Sequence, residues 1–321
     1  MQVYSDFQIT NELWYKIGGK VKYFLDCKTK DDVIEAFDFV QKNNITKIFV
    51  CGLGSNLIFT DNYFDGAVIR ISRDGNASDI HFDDKGNVEA FAGELLDDVI
   101  RYSLDHNLIG LEWAGGLPGT VGAAVRGNVG AFGGEIKDSL VHADVINFSG
   151  DKPEYKTLSN DELQFVYRGS LIKSNKKMIV VSAQFGLKKA QEEIAVAKEV
   201  YLKNIQFRKD RHPLEYPNCG SVFKNIREQE KIEKVLSIYP ELRQSVETKW
   251  HHKLAVASVI EKLGLKGYRV GDAQVSEKHA LFIVNLGHAK SSDVLQIIDH
   301  IQQTFQDKFG FQLEVEVEIV E

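Results

Sequence analysis

At 321 residues the chain is long enough for two or three domains, and 43% hydrophobic against 26% charged residues is an ordinary globular balance. A net charge of −7 with no basic arm or stripe speaks against a nucleic-acid partner, and no apolar run of 18 residues is present to span a membrane. Cys27, Cys51 and Cys219 lie far apart and outside any CxxC pattern, so neither disulfides nor a zinc site are expected, and a reducing cytoplasm fits.

Taken in order, the opening MQVYSDFQITNELW lacks the basic head and apolar middle of a secretory leader. Thr29 and Asp32 then predict a capped helix start. Behind them Val33, Ile34, Phe37 and Val40 recur on one helical face until Asn43-Asn44. A short apolar strand, 47–51, runs into the turn Gly52-Leu53-Gly54-Ser55-Asn56, and a second strand is expected over 66–71. Strand followed by GxG suggests a Rossmann unit, but Leu57 stands where the third glycine belongs. No helix start follows, and Arg70-Ile71-Ser72 replaces the expected acidic residue. What survives is a tight turn able to offer backbone N–H groups to a phosphate, or a purely structural turn.

Segments 80–82 and 87–92 flank Asp83-Asp84-Lys85-Gly86 as a β-hairpin, and 95–106 reads as an amphipathic helix. Next comes GLEWAGGLPGTVGAAVRGNVGAFGGE, residues 110–135, which holds nine of the 26 glycines. At ~1 kcal/mol per interior glycine this run is expected to be too broken for a stable helix. Its Val, Leu and Trp set it apart from a flexible linker, so the expectation is a buried loop wrapped around a phosphate-bearing cofactor. Strands near 143–148 and 177–185 bracket Phe165-Val-Tyr-Arg-Gly-Ser170, and a long charged helix is expected over 188–208.

A composition shift at 208–213 marks the expected domain boundary, giving 1–208 in two lobes, about 1–72 and 73–208, and then 209–321. Beyond it lie helical patterns near 230–238 and 255–263, a strand at 280–285 and a helix at 292–309. A last strand is expected over 311–320, with Phe311, Leu313, Val315, Val317 and Ile319 on one face and the glutamates on the other. No histidine pair has i, i+4 spacing, His251 and His252 being adjacent, and no GxSxG surrounds a serine. Metal and serine hydrolases are poor readings, and no metal ligand is assigned.

Four elements in fixed order, GxGSN, GGxPGTVGxAVxxNxGAxGGE, YRxS and GSxFKN ahead of LExEV, closely resemble the UDP-N-acetylenolpyruvoylglucosamine reductase family over nearly the whole chain. The resemblance implies an α+β fold: a two-lobed FAD-binding domain of the vanillyl-alcohol-oxidase type, then a C-terminal α/β substrate-binding domain. It implies a cytoplasmic enzyme of peptidoglycan synthesis, expected to be a monomer. That enzyme would reduce UDP-N-acetylglucosamine enolpyruvate with non-covalent FAD and NADPH as hydride donor. Matched to FAD are Gly52, Leu53, Gly54, Ser55 and Asn56 in the first loop. In the second they are Gly115, Gly116, Pro118, Gly119, Thr120, Gly122, Asn128 and Gly130. Matched to catalysis are Arg168 on the substrate carboxylate, Ser221 as proton donor and Glu316 as the acid steadying the enol. Tyr167, Lys224, Asn225 and His279 match substrate contacts. The chain departs from the family pattern at Val315, Glu318, Phe132 and Ile226, where Pro, Arg, Tyr and Pro are usual. An oxidase of the same FAD fold and a non-catalytic flavin binder are the alternatives. The first lacks a matching His or Cys for covalent flavin attachment, and the retained Arg168, Ser221 and Glu316 argue against the second.

Overall fold

The structure, a computed structural model, describes residues 1–75, 78–150, 152–250 and 252–321; His251 of the adjacent pair lies outside them. Two units are present. The first comprises Met1–Ile9, Lys20–Leu53 and Tyr63–Asp210; the second comprises Thr10–Gly19, Gly54–Asn62 and Arg211–Glu321. No composition shift marks the two short segments that leave the first stretch of chain to join the second unit.

The first unit is built on two larger sheets. In one, the strand order is Gln2–Gln8, Lys20–Cys27, Phe64–Ile71, Ile48–Cys51, with only the first pair antiparallel. The helix Lys30–Lys42 connects Lys20–Cys27 to Ile48–Cys51 and starts as the sequence predicts. Thr29 Oγ1 accepts from Asp32 N, and the Asp32 carboxylate accepts from Thr29 N. The other sheet is antiparallel throughout, in the order Glu154–Ser159, Leu140–Asn147, Met178–Gly186, Asn87–Phe91, Ile80–Phe82. Val33, Val40, Leu96, Val99, Val121 and Val145 belong to one buried cluster spanning both sheets and their helices.

Two expectations for this unit need correction. The glycine-rich stretch does contain a helix, Val121–Gly127, capped by the Thr120 side chain. It forms because Val121, Ala124 and Val125 are buried, and at roughly 1.5–3 kcal/mol per buried valine that outweighs the glycine cost. Gly122 serves close packing, since a Cβ there would lie 2.9 Å from Ala92 Cβ. The long charged helix begins at Ile194 and ends at Arg211, preceded by the short strand Lys188–Lys189.

The second unit is built on the helix Ser291–Phe309, whose Val294, Ile297, Ile298, Ile301 and Phe305 face the core. Around it lie the helices Gln229–Leu236 and Val256–Lys262. A three-stranded antiparallel sheet runs Arg269–Val270, Ala273–Val275, Ile283–Asn285. The strand expected over 280–285 is thus confined to 283–285. Tyr15, Ile17 and Ile58 from the two short segments are part of this core. Asp61 accepts from both Ser291 N (2.7 Å) and Ser291 Oγ (2.8 Å) at the start of the long helix.

The last strand is shorter than its alternation predicts. Only Glu318–Val320 is strand, pairing in parallel with Leu57–Phe59. Phe311, Leu313 and Val317 are buried as expected, but the pattern then slips: Ile319 is 39% exposed and Val320 is buried. The slip falls where the chain changes partner, from the 222–224 segment to Leu57–Phe59.

Candidate active site

In the first unit the two glycine loops meet directly. Gly52 lies so close to Thr120 that a Cβ would sit 2.4 Å from Thr120 Oγ1, so only glycine fits there. Gly116 and Gly119 adopt φ of 70° and 154°, in the region that favours glycine. The donors of the second loop are largely committed. Gly116 N donates to Asp97 Oδ1, Leu117 N to Ala114 O, Val121 N to Glu94 O and Gly122 N to Ala92 O. Among the described residues, the N–H groups of Gly119 and Thr120 meet no protein acceptor. Two adjacent unpaired donors opposite a glycine turn are what an anionic oxygen needs, so these residues fit a dinucleotide pyrophosphate.

The helix Ile194–Arg211 holds this loop in place from behind. Tyr201, Asn204 and Arg208, spaced i, i+3, i+7, are all buried on one face. The Tyr201 hydroxyl donates to Asp97, Asn204 Nδ2 reaches Glu112 O (3.1 Å) and Trp113 O (3.3 Å), and Arg208 Nε donates to Gly115 O at 2.9 Å. Gly115 allows the approach: a Cβ there would lie 2.7 Å from the Tyr201 ring. Sequence reasoning missed these three residues. Their spacing was the available signal, hidden in a helix that looks charged on every side.

Arg168 sits in a tight turn at φ 58°, a left-handed conformation that costs a non-glycine residue of the order of 1 kcal/mol. The turn is closed by Val166 N to Gly169 O (3.0 Å) and Gly169 N to Val166 O (3.1 Å). Two anchors flank it. Ser170 caps the short helix Leu171–Ser174, and its hydroxyl donates to Arg126 O at 2.7 Å. Asn128, fully buried and itself at φ 41°, donates to Val166 O (3.0 Å) and Glu135 Oε2 (2.9 Å) and accepts from Lys137 N (3.1 Å). Both Asn128 N–H groups are therefore spent on protein, leaving no side-chain donor for a cofactor. The Arg168 guanidinium lies against Gly130, where a Cβ would fall 3.3 Å from Nη1, and over the Tyr167 ring at 5.3 Å.

In the second unit, Ser221 and Glu316 lie on neighbouring segments. Val222 N donates to Leu281 O, Glu316 N to Val222 O at 2.7 Å, and Lys224 N to Glu314 O. Asn56 closes the arrangement, with Nδ2 donating to Glu316 O (3.4 Å) and its carbonyl accepting from Glu318 N (3.1 Å). Gly220, at φ 77°, stands with its missing Cβ position 3.8 Å from Ser55 O. Ser55, Asn56, Ser221 and Glu316 are thus drawn together, with Ser221 and Glu316 half-buried. Lys224 forms an ion pair with Glu314, and Asn225 Oδ1 accepts from Val256 N at the start of its helix. His279 Nδ1 accepts from Leu281 N, and burial, then the field of Lys266, pushes its pKa down to about 4, so the ring is neutral at pH 7. Burial pushes the thiols of Cys27 and Cys219 up to about 12, which makes them poor nucleophiles.

Comparison with known proteins agrees with this layout. Residues 21–152 match an FAD-binding domain, and residues 212–320 match the C-terminal domain of UDP-N-acetylenolpyruvoylglucosamine reductase. The reductase of that name from Caldicellulosiruptor saccharolyticus is 36% identical over 306 residues, covering 95% of this chain and 88% of the relative. That from Lactobacillus acidophilus is 37% identical, covering 95% and 90%. A crystal structure of the Thermus caldophilus reductase superimposes with a TM-score of 0.73 at 26% identity, over 100% of this chain and 98% of the other. The fold is α+β, an FAD-binding domain followed by the C-terminal domain of the reductase family. With likeness of this extent running through both units, the chain belongs to the UDP-N-acetylenolpyruvoylglucosamine reductase family.

Proposed function

We propose that the chain reduces UDP-N-acetylglucosamine enolpyruvate to UDP-N-acetylmuramate, using NADPH as reductant and Arg168, Ser221 and Glu316 as its catalytic residues. The observation that carries the residue assignment is the clamp by which Asn56 holds the Glu316 carbonyl and the Glu318 N–H while Glu316 N bonds Val222 O. Residues distant in sequence, from the first glycine loop, the GSxFKN segment and the last strand, are thereby fixed together. FAD, when bound, supplies the chemistry of accepting hydride from NADPH and delivering it to the substrate Cβ.

The protein's own groups do the rest. Arg168 grips the substrate carboxylate through two parallel N–H···O bonds, which a planar guanidinium provides and an ammonium does not. That contact strengthens as negative charge spreads onto the carboxylate, so it favours the transition state over the ground state. Glu316 steadies the enolic oxygen, and Ser221 Oγ gives its proton to Cα. An alcohol is a weak acid, so this transfer needs a strongly basic carbon and a hydroxyl already in place. Gly220 N bonding Asn218 Oδ1 (3.0 Å) on one side of Ser221 and Val222 N bonding Leu281 O on the other provide that placement. Asn128 acts on the reaction through Arg168, as the residue that holds its turn. The substrate is a small molecule handled in the cytoplasm by a monomer; among the described residues no helix is long and apolar enough to cross a membrane.

The test is Ser221→Ala in stopped-flow absorbance at the flavin band. Bleaching by NADPH is expected to keep nearly its parental rate, whereas reoxidation by the enolpyruvyl substrate should slow by ~10²–10⁴-fold. Equal loss in both half-reactions means that the serine merely holds the site together.

A further inference from the structure

Arg208 is a charge without a counter-charge. It is 8% exposed, its Nε is spent on Gly115 O, and its Nη2 has no hydrogen-bond partner among the described residues. Asp97 is the carboxylate whose field reaches it, but that carboxylate already accepts from Gly116 N and the Tyr201 hydroxyl. The Phe132 ring covers one face of the guanidinium at 5.2 Å. A buried donor left unpaired is costly, more so when charged, and natural proteins seldom keep one without a use for it. Burial, with the field of Asp97 opposing it, lowers the pKa of Arg208 to about 10, so the group remains a cation at neutral pH.

We propose that Arg208 is a cofactor-binding residue whose unpaired Nη2 donates to an anionic oxygen of the bound dinucleotide, so that cofactor binding neutralises a charge the empty protein leaves uncompensated. The position fits. Arg208 is tied to Gly115, and Gly116 lies against its Cδ: a Cβ there would fall 3.4 Å from it, and the unpaired N–H groups of Gly119 and Thr120 follow in the same loop. Backbone dipoles alone give that loop no net charge, whereas Arg208 brings a full positive charge to it in a place screened from salt. Two anionic oxygens of the dinucleotide share this chemistry, those of the pyrophosphate and those of the reduced isoalloxazine ring. This inference rests on FAD being the cofactor.

The test uses Arg208→Met, which keeps the unbranched stem and removes the charge, with FAD and ADP titrated into apo-protein and the flavin midpoint potential measured on the holoenzyme. A rise of roughly 10–100-fold in Kd for both FAD and ADP, with an unchanged potential, supports the inference and identifies the pyrophosphate. This is the range for losing a hydrogen bond to a charged group. An unchanged ADP affinity with a potential moved negative by about 30 mV per tenfold selective loss of reduced-flavin affinity supports it and identifies the ring. In either case apo R208M unfolds no earlier than the parental apo-protein, since a buried cation has been removed. The inference is overturned if FAD affinity, ADP affinity and potential all stay parental while the apo-protein loses stability, which makes Arg208 a structural tie to Gly115. If R208M does not fold, Arg208→Gln, which retains an N–H for Gly115 O, is read on the same quantities, and parental values for all of them overturn the inference. Failure of the parental apo-protein to take up FAD is a separate result and sinks the functional reading instead.

Discussion

Asn128→Asp is the sharpest probe of how the Arg168 turn is held. The substitution keeps size, shape and the acceptor facing Lys137 N, but replaces two donors with a carboxylate oxygen directed at Val166 O (3.0 Å) and Glu135 Oε2 (2.9 Å). Two hydrogen bonds at ~0.5–1.5 kcal/mol each are lost, while the Val166 carbonyl keeps its bond from Gly169 N. The two carboxylates so opposed repel each other at a fully buried position. With that repulsion the cost is roughly 2–4 kcal/mol, or a fall in Tm of roughly 5–15 °C for a domain of this size. The introduced carboxyl has its folded pKa raised above its unfolded value. The penalty is therefore full above that folded pKa and shrinks as pH falls through it. Thermal unfolding of parental and variant apo-protein at pH 8 and pH 5 checks this, with kcat/KM followed in parallel because Arg168 loses its anchor. A Tm within ~2 °C of parental at pH 8, or a deficit that does not narrow at pH 5, refutes the reasoning.

Other expectations follow from the same geometry. Gly52→Ala should weaken FAD binding by at least ~10-fold in equilibrium titration, because its Cβ would lie 2.4 Å from Thr120 Oγ1 and push the two loops apart. Arg168→Lys should lower kcat/KM for the enolpyruvyl substrate by ~10²-fold or more in steady-state assays, the loss of a bidentate grip, with FAD content unchanged. His279, its pKa lowered by burial to about 4 against an ordinary 6.5, is neutral in the fold and takes up protons first when unfolded. Its contribution is therefore complete above pH 6.5 and is lost as pH falls toward 4, up to ~3 kcal/mol, and His279→Gln should flatten urea-unfolding stability across that window. Cys219→Ala should leave both half-reactions near parental in stopped flow, since the thiol is buried with its pKa pushed up to about 12.

Local chemistry was legible in the sequence wherever neighbours in the chain decide it. The Thr29–Asp32 cap, the hairpin turning at Gly86 and the apolar face of Ser291–Phe309 each follow from residues within a few positions of one another. What was not legible depends on partners far away. Glu316 looked like one of several solvent-facing glutamates until the family resemblance singled it out. Its clamp by Asn56 joins residues 260 apart, and nothing in either segment signals it. The helix inside the glycine stretch was missed because intrinsic cost was weighed without the burial of Val121 and Val125. The polar face of Tyr201, Asn204 and Arg208 escaped because its partners, the Asp97 carboxylate and the carbonyls of Glu112, Trp113 and Gly115, lie some 90–100 positions earlier.

The short segments Thr10–Gly19 and Gly54–Asn62 have a consequence for how the protein is made. The strand Leu57–Phe59 finds its partner only in Glu318–Val320, at the end of the chain. Synthesised at ~5–20 residues per second, the segment waits roughly 13–50 s on or near the ribosome before that partner emerges. The first unit needs nothing beyond Asp210 and is free to fold earlier, with residues 54–62 looped out of it as an exposed apolar stretch. A nascent chain stalled after Asp210 should therefore already contain a protease-resistant first unit, still cleavable between Gly54 and Asn62. That site should become protected only once Glu318–Val320 has cleared the exit tunnel, so during synthesis this segment stays open to cleavage and to capture by chaperones.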